Sequence, residues 1–212
     1  MFVGEDAGAP SDASLASPPL KAGTGSVTLT FQHTFSFEIG APGTANEQPF
    51  DGGVIEISTD AGATWQDVST LVDPHYNKTL VGTPAATMNP LAGRMAFGGK
   101  NAMNPAPDTV TLDFGTKLAG KTFQIRFRVG SDTNTGAAGW AIDNVAFTGI
   151  VGTPFPTLAA DAGSCAGVDQ PKIVDNGGCC QAGGMAGGNI AAALGVLAML
   201  VRRRRRTGRA VE

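Results

Sequence analysis

The sequence predicts an all-β domain, an antiparallel jelly-roll-like β-sandwich, on the strength of two patterns. The first is a period of two held over 14 residues. Val27, Leu29, Phe31, Phe35, Phe37 and Ile39 alternate with Ser26, Thr28, Thr30, Gln32, Thr34, Ser36 and Glu38. Such alternation turns one face of a strand to a core and the other to water. The second is the near absence of a helical period of 3.6 between Ser26 and Gly149. Short apolar runs there are spaced by Gly, Asp, Asn and Pro, the punctuation of an antiparallel sandwich. Gly and Pro fill about a fifth of the 212 positions, too many for a helical bundle and too few for a fully disordered chain.

Taken in order, the chain opens on Met1-Phe-Val-Gly-Glu-Asp6, which has no basic n-region and no apolar h-region, so no secretory signal is read there. Residues 4–24 are Gly, Ala, Ser, Pro and Asp with scattered Leu, and residues 1–24 are predicted to be a disordered linker. The sandwich is expected over residues 25–150. Its long first strand, or strand pair across a bend, is interrupted on the apolar face by His33 alone. Further strands are predicted at Val54–Ser58, Trp65–Val68, Met95–Phe97, Thr109–Phe114, Thr122–Val129 and Trp140–Thr148. Within Thr122–Val129, Phe123, Ile125, Phe127 and Val129 share one face while Gln124, Arg126 and Arg128 share the other. In the last strand the apolar parity switches at Asp143-Asn144, which predicts a bulge or twist.

Beyond the sandwich, residues 151–181 dissolve into Pro, Gly, Asp and Ala and are read as a flexible tether. Residues 182–201 form a 20-residue stretch with only Asn189 clearly polar. As a helix it measures about 30 Å, the thickness of a bilayer core, and is predicted to cross a membrane. Arg202, Arg203, Arg204, Arg205 and Arg206 follow at once, and a basic flank stays in the cytoplasm. The 202–212 tail carries a net +5, leaving −8 on the rest of the chain. An acidic body gives no electrostatic footprint for nucleic acid, and none is expected as a partner. Three Cys cannot complete a disulfide framework. Cys179-Cys180 lies just before the apolar stretch, and a Cys165–Cys179 bridge, lipidation and processing all stay open as readings of it.

Three constellations bear on chemistry. Ser58-Thr-Asp-Ala-Gly-Ala-Thr-Trp65 fits the Asp-box pattern S-x-D-x-G-x-T-W. Asp60 is expected to bond the N–H groups of the turn, Gly62 to supply a positive φ, and Trp65 to pack beneath the hairpin. One box without a 40–50-residue repeat reads as a structural turn, with a glycan-processing role as the alternative. Glu38, Asp51 (before Gly52-Gly53) and Asp143 are the candidate oxygens for a calcium ion, against plain turn and edge hydrogen bonding as the alternative. Calcium takes 6–8 oxygens, and no D-x-D-x-D-G loop is present, so these ligands would converge from separate loops. The sequence holds no H-E-x-x-H, G-x-S-x-G, Walker A or post-strand G-x-G-x-x-G signature. Its two His, His33 and His75, stand 42 residues apart with no clustered thiols, which makes no zinc site.

Two resemblances extend this reading. Phe31-Gln-His-Thr-Phe-Ser-Phe-Glu38, Phe50-Asp-Gly-Gly-Val-Ile-Glu-Ile-Ser-Thr-Asp-Ala-Gly-Ala-Thr-Trp65, Tyr76-Asn77 and Ala96-Phe97-Gly98-Gly99 come first. Leu118-Ala-Gly-Lys-Thr-Phe-Gln-Ile-Arg-Phe-Arg128 and Gly139-Trp-Ala-Ile-Asp-Asn-Val145 follow. Together these runs resemble the C-terminal β-sandwich of secreted bacterial metallopeptidases of the fungalysin and immune-inhibitor-A kind. Residues 179–206 resemble a myxobacterial C-terminal sorting signal (MYXO-CTERM): Cys, apolar helix, Arg cluster. The second resemblance implies export, cleavage by a sorting protease, and surface display with Cys179 or Cys180 as the processed position. Replacing Arg202–Arg206 is then expected to disturb retention and sorting, and replacing both Cys to block surface attachment while sparing the sandwich. A sorting signal without a leader at Met1 is most simply the C-terminal remnant of a longer exported protein. The function expected is a non-catalytic, surface-anchored accessory or binding module for an extracellular protein or glycan. The alternatives are the C-terminal part of a zinc metalloendopeptidase and a glycan-binding or glycan-active module.

Overall fold

Extended backbone dominates residues 1–152, the part of the chain that this computed structural model describes. The strands run in chain order as β1 (Phe2–Asp6), β2 (Ser11–Ala16), β3 (Leu20–Lys21), β4 (Val27–Ser36), β5 (Ile39–Gly40) and β6 (Gln48–Pro49). They continue as β7 (Gly52–Ser58), β8 (Gln66–Asp67), β9 (Lys78–Thr79), β10 (Met95–Gly98), β11 (Asp108–Gly115), β12 (Thr122–Ser131) and β13 (Ala137–Thr148). The one α-helix among the described residues, α1 (Pro84–Thr87), is four residues long. The described part of the chain is all-β.

Two antiparallel sheets carry the fold. One has the order β1-β13-β4-β11, and the other β2-β12-β7-β10-β9, with β3 beside β12 and β8 beside β7. β5 and β6 pair separately. Alternate residues of β4 are buried, so Val27, Leu29, Phe31, His33 and Phe35 meet Phe123, Ile125, Phe127 and Val129 from β12. Phe31 and Phe127 touch edge to face across the gap, ring centroids 5.2 Å apart. Each such side chain removed from water contributes roughly 1.5–3 kcal/mol, which is why the alternation decides the fold.

β7 is buried along its whole length. Ile55 and Ile57 face the main core, whereas Val54 joins Leu80, Leu91 and Ala96 in a second cluster. The stretch after β8 therefore supplies an apolar cover over the outer face of that sheet. Tyr76 sits in the cover, its hydroxyl donating to Ile55 O and accepting from Ile55 N–H.

The structure corrects the expectation of a disordered linker over residues 1–24. β1 lines the edge of one sheet beside β13, and β2 lines the edge of the other beside β12. β2 is Ser-Asp-Ala-Ser-Leu-Ala, exposed almost throughout. A ladder of backbone hydrogen bonds holds an edge strand without an apolar face, so composition alone reads as loop. The parity switch in β13 is a register shift between Asp143 and Ala146, with Asn144 at φ 51°. The tether from residue 153 on, the apolar stretch 182–201, Cys179, Cys180 and Arg202–Arg206 lie outside the described residues.

Candidate metal centre

Strand register brings four carboxylates to one end of the sandwich. β1 ends at Asp6, which pairs with Ala137 at the start of β13. β4 runs out at Ser36, opposite Gly139, and Glu38 follows two residues later. Asp51 immediately precedes β7, and Asp132 immediately follows β12; Gly52 and Gly130 pair between them. Each acid thus sits where its strand leaves the sheet, and the four ends coincide.

One carboxylate oxygen each from Glu38, Asp51 and Asp132 lie within 4.8 Å of one another. Asp51 is fully buried and Asp6 is 4% exposed. Asp51 Oδ1 accepts from the N–H of Asp132 (2.8 Å) and from Asn89 Nδ2 (3.2 Å). Asp6 Oδ2 accepts from the N–H of Glu38 (2.9 Å), and Asp132 Oδ1 from the N–H of Asn134 (2.8 Å). The buried Asn89 amide also donates to Phe50 O and Gly130 O, tying the ends of β7 and β12 together. The Asp6 and Asp51 carboxyls face each other at hydrogen-bonding range. With both ionised there is no donor between them, and Asp6 Oδ1, Asp51 Oδ2 and Glu38 Oε2 are buried without a partner.

Electrostatics follow from that crowding. Burial, then the neighbouring Asp6, pushes the Asp51 carboxyl up to about 8. Asp6 is raised by burial, although hydrogen bonds from Asp51 and from the Glu38 backbone oppose this. Glu38 is raised by burial and by the charges of Asp132 and Asp6.

Glu38 and Asp51 were expected in this group; Asp143 is not part of it. Asp143 lies six residues along β13 from Ala137, the partner of Asp6, a separation of about 20 Å at strand rise. Its exposed carboxylate accepts from the Asn144 N–H and pairs with the terminal ammonium of Met1 at 3.5 Å. Sequence reasoning missed Asp6 and Asp132. The usable signal was an acid at each strand end, Glu5-Asp6 before Ala-Gly and Ser131-Asp132 before Thr-Asn.

The Asp-box hairpin lies elsewhere, between β7 and β8. Asp60 Oδ1 accepts from Ser58 Oγ and the Thr64 N–H, and Oδ2 from Thr64 Oγ1. These bonds hold the Asp60 carboxyl down at about 2, the largest coming from Thr64. Gly62 has φ 85°, and Trp65 Nε1 donates to its carbonyl. Trp65 also carries the Arg126 guanidinium on its ring at 4.4 Å.

His33 is 3% exposed, and its Nδ1 accepts from Trp140 Nε1 at 3.1 Å. It closes the floor of a 420 Å³ cleft that also contains His75, Asn77, Asn101 and Asp108. Burial lowers its pKa from 6.5 to about 4, although Asp108, its partner across the β4–β11 ladder, acts in the opposite sense. Between these two values the unfolded chain binds a proton that the folded chain does not. Stability is therefore whole above pH 6.5 and is lost as pH falls through that window, by up to ~3 kcal/mol. His33→Asn keeps an acceptor for Trp140 and does not titrate. Urea denaturation at pH 7.5, 5.5 and 4 is expected to show a steeper acid loss in the wild type than in His33→Asn. Equal slopes would refute the neutral, buried imidazole.

No family model matches the chain, and no curated protein does.

Proposed function

We propose that this chain is a non-catalytic accessory β-sandwich, displayed outside the cell, that holds an extracellular protein or glycan or positions a neighbouring exported domain. The observation that carries this is a 600 Å³ cleft at the acidic end of the sandwich. Phe37, Ile39 and Pro42 give it apolar walls, and Glu47, Lys78 and Lys100 give it charge. A concave surface with an apolar floor and a few charged groups is the ordinary make-up of a recognition site. Several groups that could otherwise transfer protons are meanwhile committed to architecture. His33 is neutral and engaged by Trp140, Glu56 is held by arginines, and Asp60 closes a turn. The strands of five residues or more alternate between the two sheets along the chain, β1, β4, β11 and β13 against β2, β7 and β12, which favours jelly-roll-like topology. Surface display rests on the Cys179–Arg206 sorting pattern in the sequence.

Two measurements test the reading. The purified full chain is expected to cleave neither casein nor a sialoside; zinc-dependent turnover removed by a chelator would overturn it. Lys100 is exposed. On intact cells a membrane-impermeant amine reagent is expected to label it, and labelling only after lysis would overturn surface display.

A further inference from the structure

We infer that Glu38, Asp51 and Asp132, with Asp6 packed against Asp51, form a binding site for one calcium ion, which ties the N-terminal strand to the ends of β4, β7 and β12. The inference stands independently of the accessory-module reading. Its first support is geometric. Ligands of one ion at 2.3–2.6 Å lie no further than about 5 Å from one another, and the Glu38, Asp51 and Asp132 oxygens meet that limit at 4.8 Å. Its second support is the bonding left over. The neighbouring backbone N–H groups donate to the other oxygen of Asp6, Asp51 and Asp132, namely Oδ2, Oδ1 and Oδ1. With the acids ionised, Asp6 Oδ1, Asp51 Oδ2 and Glu38 Oε2 are buried with no donor, and a proton shared between Asp6 and Asp51 would still leave Glu38 Oε2 without one. Buried polar atoms are almost always satisfied, and a carboxylate accepts only, so what these three oxygens have in common is the lack of a positive partner.

The donor set selects the ion. It is all oxygen, with no imidazole or thiolate in the group, which argues against zinc. Magnesium asks for octahedral geometry at 2.0–2.1 Å and is seldom caged by protein carboxylates alone, whereas calcium accepts several carboxylates at longer distance. Two positive charges placed among four carboxyls also offset their mutual repulsion. The cation does not depend on one loop: its ligands come from three separate chain segments, and Asp6 brings a fourth segment beside them. Its effect is therefore on the assembly of the sandwich end rather than on a local turn. Glu38 lines the 600 Å³ cleft, and residues 135–137 just beyond Asp132 form its other wall, so the ion would hold both walls in place.

The full chain, stripped with chelator and titrated with calcium chloride, tests this. The thermal midpoint is expected to rise by roughly 5–10 °C at a hundredfold excess over the dissociation constant. Magnesium at the same concentration is expected to give much less. Asp51→Asn keeps the acceptor for Asp132 and Asn89 but can no longer offer a carboxylate to the ion. It is expected to abolish the calcium response and, in chelator, to melt at or above the wild-type midpoint, because a neutral amide adds no repulsion among the remaining carboxyls. A merely structural Asp51 would lower the midpoint in both conditions. Asp132→Asn is expected to lose the response as well, and Asp143→Asn to keep it. An unchanged wild-type midpoint with no calorimetric binding, or full calcium response in both Asp51→Asn and Asp132→Asn, would overturn the site.

Discussion

Trp140→Ala is expected to cost the sandwich about 4 kcal/mol, the largest single loss available from its core. Trp140 is fully buried between the sheets, with Phe97 and Phe127 at ring-centroid distances of 5.4 and 5.6 Å. Its indole N–H is also the donor to His33 Nδ1, so truncation opens a cavity and leaves a buried acceptor unpaired. The ring lies where it does because Gly53 has no side chain. A Cβ at Gly53 would stand 2.3 Å from Trp140 Cε3 and 2.6 Å from Cζ3, far inside contact distance. Gly53→Ala is therefore expected to cost about 2–3 kcal/mol through overpacking. The two positions share one space. Gly53→Ala combined with Trp140→Leu is expected to be less destabilised than the sum of the single changes by at least about 1 kcal/mol. Urea unfolding of the four proteins measures the cycle. Additivity within about 0.5 kcal/mol would show that the glycine is not there to seat the indole.

How far this arrangement was legible depends on the distance over which each signal acts. β4 and β12 were readable because alternation is local: Val27 to Phe35 and Phe123 to Val129 declare their own inner face. The β13 irregularity was readable for the same reason, since Trp140 and Ile142 take one parity and Val145 and Phe147 the other. β1 and β2 were not, because Gly4, Ser11 and Ala13 fit an edge strand only once β13 and β12 offer their backbone. The cover over β7 was missed because Leu80 and Leu91 stand alone among Gly, Pro and Thr, with no period to reveal them. The acidic group divides along the same line. Glu38 and Asp51 were marked by local features, a strand end and a following Gly-Gly. Asp6 and Asp132 reach them through the β1–β13 and β12–β7 registers, which no window of sequence encodes. Asp143 was drawn in by its bulge, which is real but lies along β13 away from that end.

Glu56→Gln is expected to lower stability at pH 7 by roughly 3 kcal/mol, at the low end for a broken buried pair because its partners keep some solvent. Glu56 points away from the core on β7 yet is only 3% exposed. Oε1 accepts from Arg94 at 2.7 Å and Oε2 from Arg126 at 2.6 Å, with Arg128 at 3.4 Å. Arg126 is its direct partner across the β7–β12 ladder. Arg94 comes from the cover and also bonds Asp67 on β8, and Arg128 bonds both oxygens of Asp12 on β2. One carboxylate thus joins β2, β7, β8, β12 and the cover, over a face that apolar burial alone does not close. Burial raises its carboxyl, but hydrogen bonds and charge from Arg94 and Arg126 outweigh that and leave it below the ordinary glutamate value of 4.5. Its contribution is therefore present above pH 4.5 and is lost as pH falls through the lowered value. The gap between wild type and Glu56→Gln is expected to narrow below pH 4.5. It is expected to persist largely unchanged in 0.5 M salt, because groups this sheltered are poorly screened. Equal stability at pH 7 would mean that desolvation cancels the pairing, and that the outer face of β7 is held by Val54 and its apolar cover.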